Sequence, residues 1–283
     1  MSRKRSKPQT DNDINGAKLA RGSPTPVLVT SSPYFSRGEV AGGSHGEERR
    51  AGTLRSRFFD QECVELARAL LGKVLVRVVE GQRVSARVVE TEGYLGGPDA
   101  ASHSSGGKRT PRNEPMYMKP GTAYVYSIYG MYHCFNVSSR GDGACVLVRA
   151  AEPLEGLEVM VEGRGKRRGA SAPPLKPHQL CNGPSKLCQA LALTKDSANK
   201  LDLSVSEEFW VEEEEEELKK EEAEEGCDGG RGGGAAQDKI VVSARIGVDS
   251  YGEEWAKKPL RFYILGNKCV SVRDKEVEKG MLG

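Results

Sequence analysis

Two carboxylates, Glu90 and Glu92, stand one residue apart at the end of a run that begins with Val84, Ala86 and Val88. Strand alternation puts Val84, Ala86, Val88, Glu90, Glu92 and Tyr94 on one face, apolar at its start and acidic at its end. Burying an ionised carboxylate is costly, so these acids are solvent-exposed, paired or functional. Arg149 closes a second apolar run, Cys145-Val146-Leu147-Val148. An arginine set against such an acid keeps it ionised at neutral pH. An ionised Glu that orients a water is the general base needed for hydrolysis through an oxocarbenium-like transition state.

A second kind of chemistry is aromatic. Five of the nine tyrosines (Tyr117, Tyr124, Tyr126, Tyr129 and Tyr132) fall within one short stretch. Tyr124 to Tyr132 alternates like a β-hairpin with Gly130 in its turn. Strand tyrosines ordinarily pack in a core or in cross-strand pairs. Tyr129 sits at the turn with little core to fill, where an aromatic tip can wedge into a base stack or a partner's groove. Met131 follows it at the same tip. His103 is either an ordinary loop residue or a donor to the ring edge of a ligand. Asn136 either satisfies itself in the sheet or reads a base edge. In the run Lys108-Arg109-Thr110-Pro111-Arg112 the cations suit phosphate contacts or a solvated basic loop. Asn182-Gly183-Pro184-Ser185-Lys186 opens a helix whose free N–H groups, with Lys186, can hold a phosphate.

The elements that position these residues can be read in outline. Asp60 is the expected N-cap of a helix over Glu62 to Leu71, closed by Gly72. Lys73 to Val79 and Arg83 to Glu92 form a hairpin around Glu80-Gly81-Gln82, and Leu95 to Pro120 is a long loop. Strands are expected at Ala144 to Ala150, Ile240 to Ile246, Leu260 to Ile264 and Cys269 to Val272, with a short helix at Pro153 to Glu162. With a two-residue turn at Tyr129-Gly130, Tyr126 pairs opposite His133 and Asn136 faces the other side. Both line one pocket only if a β-bulge intervenes or the turn lies elsewhere.

The chain has 283 residues, of which 37% are hydrophobic, with 34 glycines and 14 prolines. Residues 1–57, rich in Ser, Gly, Arg and Pro, read as a disordered basic tail, leaving 58–283 as the folded domain. Within it, 207–236 reads as an acidic, Gly-rich disordered insertion. From Glu207 to Glu225 twelve acids stand against two bases, a net of −10, so with +2 for the whole chain the remainder carries +12. A basic surface favours a polyanion, nucleic acid first and anionic membrane second. No apolar run reaches the roughly 18 residues of a membrane span and no signal-peptide pattern opens the chain, so a soluble intracellular protein is expected. Seven scattered cysteines without a C-x-x-C pair, and only four histidines, favour reduced thiols and argue against a metal centre. Arg3-Lys4-Arg5-Ser6-Lys7-Pro8 suits a nuclear localisation signal, with a mitochondrial presequence the weaker competitor.

Taken together, Glu90-Thr91-Glu92-Gly93-Tyr94, Lys119-Pro120-Gly121-Thr122, Tyr124-Val125-Tyr126, Tyr129-Gly130-Met131-Tyr132, Asn136-Val137-Ser138-Ser139, Gly141-Asp142-Gly143-Ala144-Cys145-Val146-Leu147, Asn182-Gly183-Pro184-Ser185-Lys186 and Trp255-Ala256-Lys257-Lys258-Pro259-Leu260-Arg261-Phe262 closely resemble the alkyladenine (3-methyladenine) DNA glycosylase family of animals. The resemblance runs from about Phe58 to the C-terminus, omitting the acidic insertion, which has no recognised counterpart. It implies a monofunctional base-excision repair enzyme that flips damaged purines from duplex DNA and hydrolyses the N-glycosidic bond, leaving an abasic site. The implied lesions include 3-methyladenine, 7-methylguanine, hypoxanthine and ethenoadenine. Glu92 matches the general base, and Arg149 with the backbone carbonyl of Ile246, where the family has valine, matches the groups that hold the attacking water. Tyr94, His103 and Tyr126 match the base pocket, Asn136 the residue disfavouring the 2-amino group of guanine, and Tyr129 the side chain that fills the gap. Met131, Lys108, Thr110, Arg112 and Lys186 are the further expected DNA contacts.

The fold expected is a single α/β (α+β) domain with a curved, mainly antiparallel sheet, peripheral helices and a protruding hairpin. It should act as a monomer on double-stranded DNA without metal or cofactor, with repair-protein contacts through the tail. A non-catalytic nucleic-acid-binding module would explain the basic surface and the tyrosines but not the Arg149 and Glu92 pair. A carbohydrate glycosidase would explain the acids but not the basic surface.

Overall fold

The computed structural model describes residues 52–166, 172–214 and 239–282. Its organising strand is β2 (Gln82–Tyr94), which follows β1 (Val74–Val79) through the turn Glu80-Gly81. Both turn residues have positive φ, 50° and 80°, as a tight two-residue hairpin requires. β3 (Ala123–Ile128), β4 (Tyr132–Ser138), β5 (Cys145–Glu155) and β6 (Phe209–Glu212) extend one antiparallel sheet in the order β3-β4-β5-β2-β1-β6. β7 (Ile240–Ser243) pairs with β8 (Arg261–Ile264), and β8 pairs with β2 at Glu90 to Glu92. The sheet has eight strands among the described residues. This is the mixed, mainly antiparallel architecture with peripheral helices that the sequence implies.

The single face expected for Val84 to Tyr94 is interrupted. Val88 pairs with Ala151 and Glu90 with Ala150, which leaves Val89 as an extra residue and a β-bulge on β2. Val84, Ala86 and Val88 pack in the main core, whereas Val89 belongs to a second cluster with Ala150 and Tyr263. Beyond the bulge Thr91 turns to the main core, its hydroxyl donating to Ala67 O at 2.6 Å. Glu90 and Glu92 therefore lie on the opposite face from the valines that precede them. The same bulge marks where β1 leaves the edge of β2 and β8 replaces it, so the acids have β5 on one side and β8 on the other.

The tyrosine hairpin resolves its register in one residue. Tyr129 (φ 52°) and Gly130 (φ 67°) occupy the turn, closed by Met131 N donating to Ile128 O at 3.1 Å. Ile128 then pairs with Tyr132, so Met131 is the extra, bulged residue. Tyr126 pairs with Cys134 and Tyr124 with Asn136, and all four share a face. A transverse row follows across five strands: Tyr124, Asn136, Leu147, Glu92 and Arg261, each opposite the next. Neighbours across a ladder face the same side, so the register itself aims the hairpin and the acid at one space.

Helices Cys63–Ala69, Leu157–Gly165 and Pro184–Ala190 cover the main core face with Leu66, Met160 and Leu187, all fully buried. Each such side chain contributes about 1.5–3 kcal/mol by leaving water. Several boundaries differ from the sequence reading. Asp60 does not cap the first of these helices, whose N-cap is Glu62 without a side-chain bond; Asp60 instead accepts from Arg140 Nε at 3.0 Å. β5 runs through Pro153 to Glu155 before its helix begins, and Cys269 to Val272 is not a strand but a turn before the helix Lys275–Leu282.

The folded part also starts earlier than Phe58. Thr53 bridges to Glu212 and Leu54 N donates to Val211 O, so these residues join the sheet's edge, and the short helix Ser56–Phe59 follows them. Residues 207–214 are likewise folded, since Phe209, Trp210 and Val211 are buried in β6. The rest of the expected insertion (215–236), the tail before Gly52 and the basic residues Arg167 and Arg168 lie outside the described residues. No helix among the described residues is long and apolar enough to cross a membrane.

Candidate active site

Glu92 is fully buried and completely held. Its Oε1 accepts from Ile246 N at 2.8 Å and lies 3.1 Å from Arg149 Nη1, while Oε2 accepts from the Tyr94 hydroxyl at 3.0 Å. Glu90 is buried too, but with different partners: Arg149 Nε at 3.2 Å, Arg261 Nη1 at 3.0 Å and Ser271 N at 2.7 Å. One guanidinium thus bridges two acids; Glu92 holds Tyr94, Arg149 and Ile246 of the cavity described below, whereas among the partners of Glu90 only Arg149 belongs to it. Glu90 is walled off by Arg261 and the C-terminal segment.

The charge state of Glu92 reflects a contest. Burial pushes its carboxyl above the ordinary value of 4.5; Arg149, the Ile246 N–H and the Tyr94 hydroxyl pull it back, and Glu90 adds to the rise. Burial outweighs the lowering by Arg149. A carboxylate with raised proton affinity is a better acceptor of a proton from water. Burial likewise raises the Tyr94 phenol well above its ordinary value, with Glu92 adding to the rise, so Tyr94 stays a donor to that acid.

A cavity of about 290 Å³ opens beside Arg149 and Tyr94. Its size is that of a small ligand pocket, which begins at about 300 Å³. Tyr94, His103, Tyr126, Asn136, Arg149 and Ile246, six of the seven residues singled out for catalysis or base binding, line it, and Glu92 lies directly behind three of them. The rings of His103 and Tyr126 meet edge to face, 4.7 Å apart. His103 Nδ1 is 2.8 Å from the Tyr124 hydroxyl, and burial, with Arg112 nearby, pushes His103 down to about 4. It is a neutral imidazole at neutral pH, oriented by Tyr124. Asn136 Nδ2 donates to Tyr124 O at 3.1 Å, so part of its amide is spent inside the sheet while the residue still lines the cavity.

Sequence reasoning missed the pair that anchors this wall. Arg245 and Asp99 are both fully inaccessible and meet through two bonds, 2.6 and 2.9 Å. Asp99 also accepts from Leu95 N and Ala101 N, and Arg245 donates to Gly93 O and stacks on the Tyr94 ring at 4.7 Å. The pair ties the segment bearing Ile246 to the loop bearing His103. A lone Asp in a long loop and a lone Arg near the end of an expected strand gave no sign of each other.

The expected DNA contacts divide. Tyr129, 89% exposed, and Met131, 50% exposed, form the hairpin tip. Tyr129 holds a left-handed backbone that costs a non-glycine residue about 1–2 kcal/mol. Lys108 and Lys186 are exposed; Lys186 Nζ donates to Asn182 Oδ1 at 2.9 Å. Thr110 is occupied instead in a turn, with both its N–H and hydroxyl donating to Asn113 Oδ1. Arg112 is exposed, yet its guanidinium lies over the Tyr126 ring.

Residues 57–268 match the family model described as methylpurine-DNA glycosylase. The chain is 48% identical over 260 residues to a Homo sapiens protein named DNA-3-methyladenine glycosylase, covering 91% of this chain and 78% of that one. It is 49% identical over 234 residues to the Mus musculus protein of the same name, covering 82% and 65%. A probable DNA-3-methyladenine glycosylase of Encephalitozoon cuniculi is 46% identical over 216 residues, covering 76% and 91%. The chain therefore belongs to the methylpurine-DNA glycosylase family, and is a DNA-repair hydrolase that acts on N-glycosyl bonds of DNA.

Proposed function

We propose that this enzyme flips a damaged purine into the cavity beside Tyr94 and Tyr126 and hydrolyses its N-glycosidic bond with a water activated by Glu92. The observation that carries the reading is the fully buried Glu92, joined to Arg149, Tyr94 and Ile246 at the wall of an aromatic cavity. Arg149 and the Ile246 carbonyl hold the water, Tyr94 and Tyr126 stack on the flipped base, and His103 reads its edge. Asn136 disfavours the 2-amino group of guanine. Tyr129 fills the gap left in the duplex, offsetting part of the few kcal/mol that flipping costs. The substrates are 3-methyladenine, 7-methylguanine, hypoxanthine and ethenoadenine, and the product is an abasic site.

The enzyme works as a monomer in the nucleus, directed there by Arg3-Lys4-Arg5-Ser6-Lys7, and its tail contacts other repair proteins. Incubation with a duplex containing hypoxanthine or ethenoadenine, with no metal added, tests the reaction. Free base should appear, with strand scission only after heat or alkali. Binding of such duplexes without base release would favour a non-catalytic module instead.

A further inference from the structure

We propose that Arg112 is a specificity-determining residue that biases the cavity toward electrically neutral bases and against cationic alkylated purines. This rests on the reading of the cavity as a flipped-base pocket. A cationic purine ring is drawn to an aromatic face, so walls of tyrosine would by themselves favour it over a neutral one. The charges around this cavity oppose that preference at one wall.

Most of the arginines here are neutralised in place. Arg149 is shared by Glu90 and Glu92, Arg261 is paired with Glu90, and Arg245 with Asp99. Arg112 has no carboxylate partner among the described residues. Its guanidinium carbon lies 5.0 Å from the centroid of the Tyr126 ring. Tyr126 lines the cavity and Arg112 is not among its lining residues, so the cation acts on the cavity through that ring. A ring whose electron density is already drawn toward one cation attracts a second less, and the two like charges also repel.

The position of Arg112 is built rather than incidental. It sits in a turn closed by Asn113 N donating to Thr110 O, with Asn113 Oδ1 accepting from Thr110. Asn113 is buried, and its amide donates to His103 O at 2.9 Å and to Lys108 O at 2.8 Å. The turn that carries the cation is therefore bolted to the segment that carries the pocket's imidazole. Arg112 acts on that imidazole as well, adding to the burial that keeps it uncharged. A neutral His103 can accept from a base edge or donate to it, as the recognition of hypoxanthine or ethenoadenine requires, without adding a second positive charge.

The test is single-turnover release of 7-methylguanine, a cationic base, and of hypoxanthine, a neutral one, from duplexes of otherwise identical sequence. Arg112 is exposed, so its substitution spares the core, and a thermal melt of each variant checks this. Arg112→Gln should raise the ratio of 7-methylguanine to hypoxanthine release about tenfold over wild type, and Arg112→Lys should stay near the wild-type ratio. An equal loss on both substrates, accompanied by weaker binding to undamaged DNA, would make Arg112 a phosphate contact and overturn the proposal. An unchanged ratio would overturn it too, as would a Lys variant that matches the Gln variant. Failure of the wild-type enzyme to release either base would instead reject the reading of the cavity on which this rests.

Discussion

Arg149 Nη1 lies 3.1 Å from Glu92 Oε1 while Nε of the same side chain donates to Glu90, so Glu92 shares its cation with a second buried acid. Complete burial, with the Glu90 charge adding to it, leaves the Glu92 carboxyl above its ordinary value of 4.5 despite Arg149. A base must be ionised to work, so excision should fall as pH drops through that raised value. The acid limb of the single-turnover rate should therefore have its midpoint above 4.5. Tyr94→Phe keeps the stacking ring but removes a donor to Glu92, so the limb should move to still higher pH. His103, pushed down to about 4, should contribute no limb near neutrality.

Asp99→Ala should destabilise the fold by about 3–5 kcal/mol, because it strands the Arg245 guanidinium in a fully buried site. It also removes the acceptor for Leu95 N and Ala101 N. Urea unfolding of wild type and variant measures this. A loss within about 0.5 kcal/mol, the ordinary range for a surface change, would show that the pair is not an anchor.

Tyr129→Ser should reduce the preference for a hypoxanthine duplex over an undamaged one about tenfold, since a base-sized contact is worth about 1–3 kcal/mol. Competition binding gives that preference directly. Tyr129 is 89% exposed, so the melting temperature should not move. Unaltered lesion preference and unaltered excision would reject the wedge.

What the sequence made legible was local or carried by motifs: the β1–β2 hairpin, the tyrosine turn, the pairing of Arg149 with the acids, and the family. What it hid depended on register and distant contacts. Strict alternation put Glu90 and Glu92 on the face of Val84, whereas the bulge at Val89, invisible in an unbroken β-prone run, moves them to the opposite face. Tyr126 and Asn136 were irreconcilable under an ideal turn, and one extra residue at Met131 brings them to the same side. Asp99 and Arg245 are 146 residues apart in the chain, and only the closure of β7 and β8 onto β2 joins them. Phe209 to Val211 were lost in the acidic composition that follows, although they are buried against β1.

Glu92→Gln separates activation of the water from binding, because the amide keeps the size and much of the hydrogen bonding of the acid. Single-turnover release of hypoxanthine from a duplex should fall by about 10²–10⁴ while affinity for that duplex stays within a few-fold of wild type. Release at the wild-type rate by the Gln variant would contradict the account.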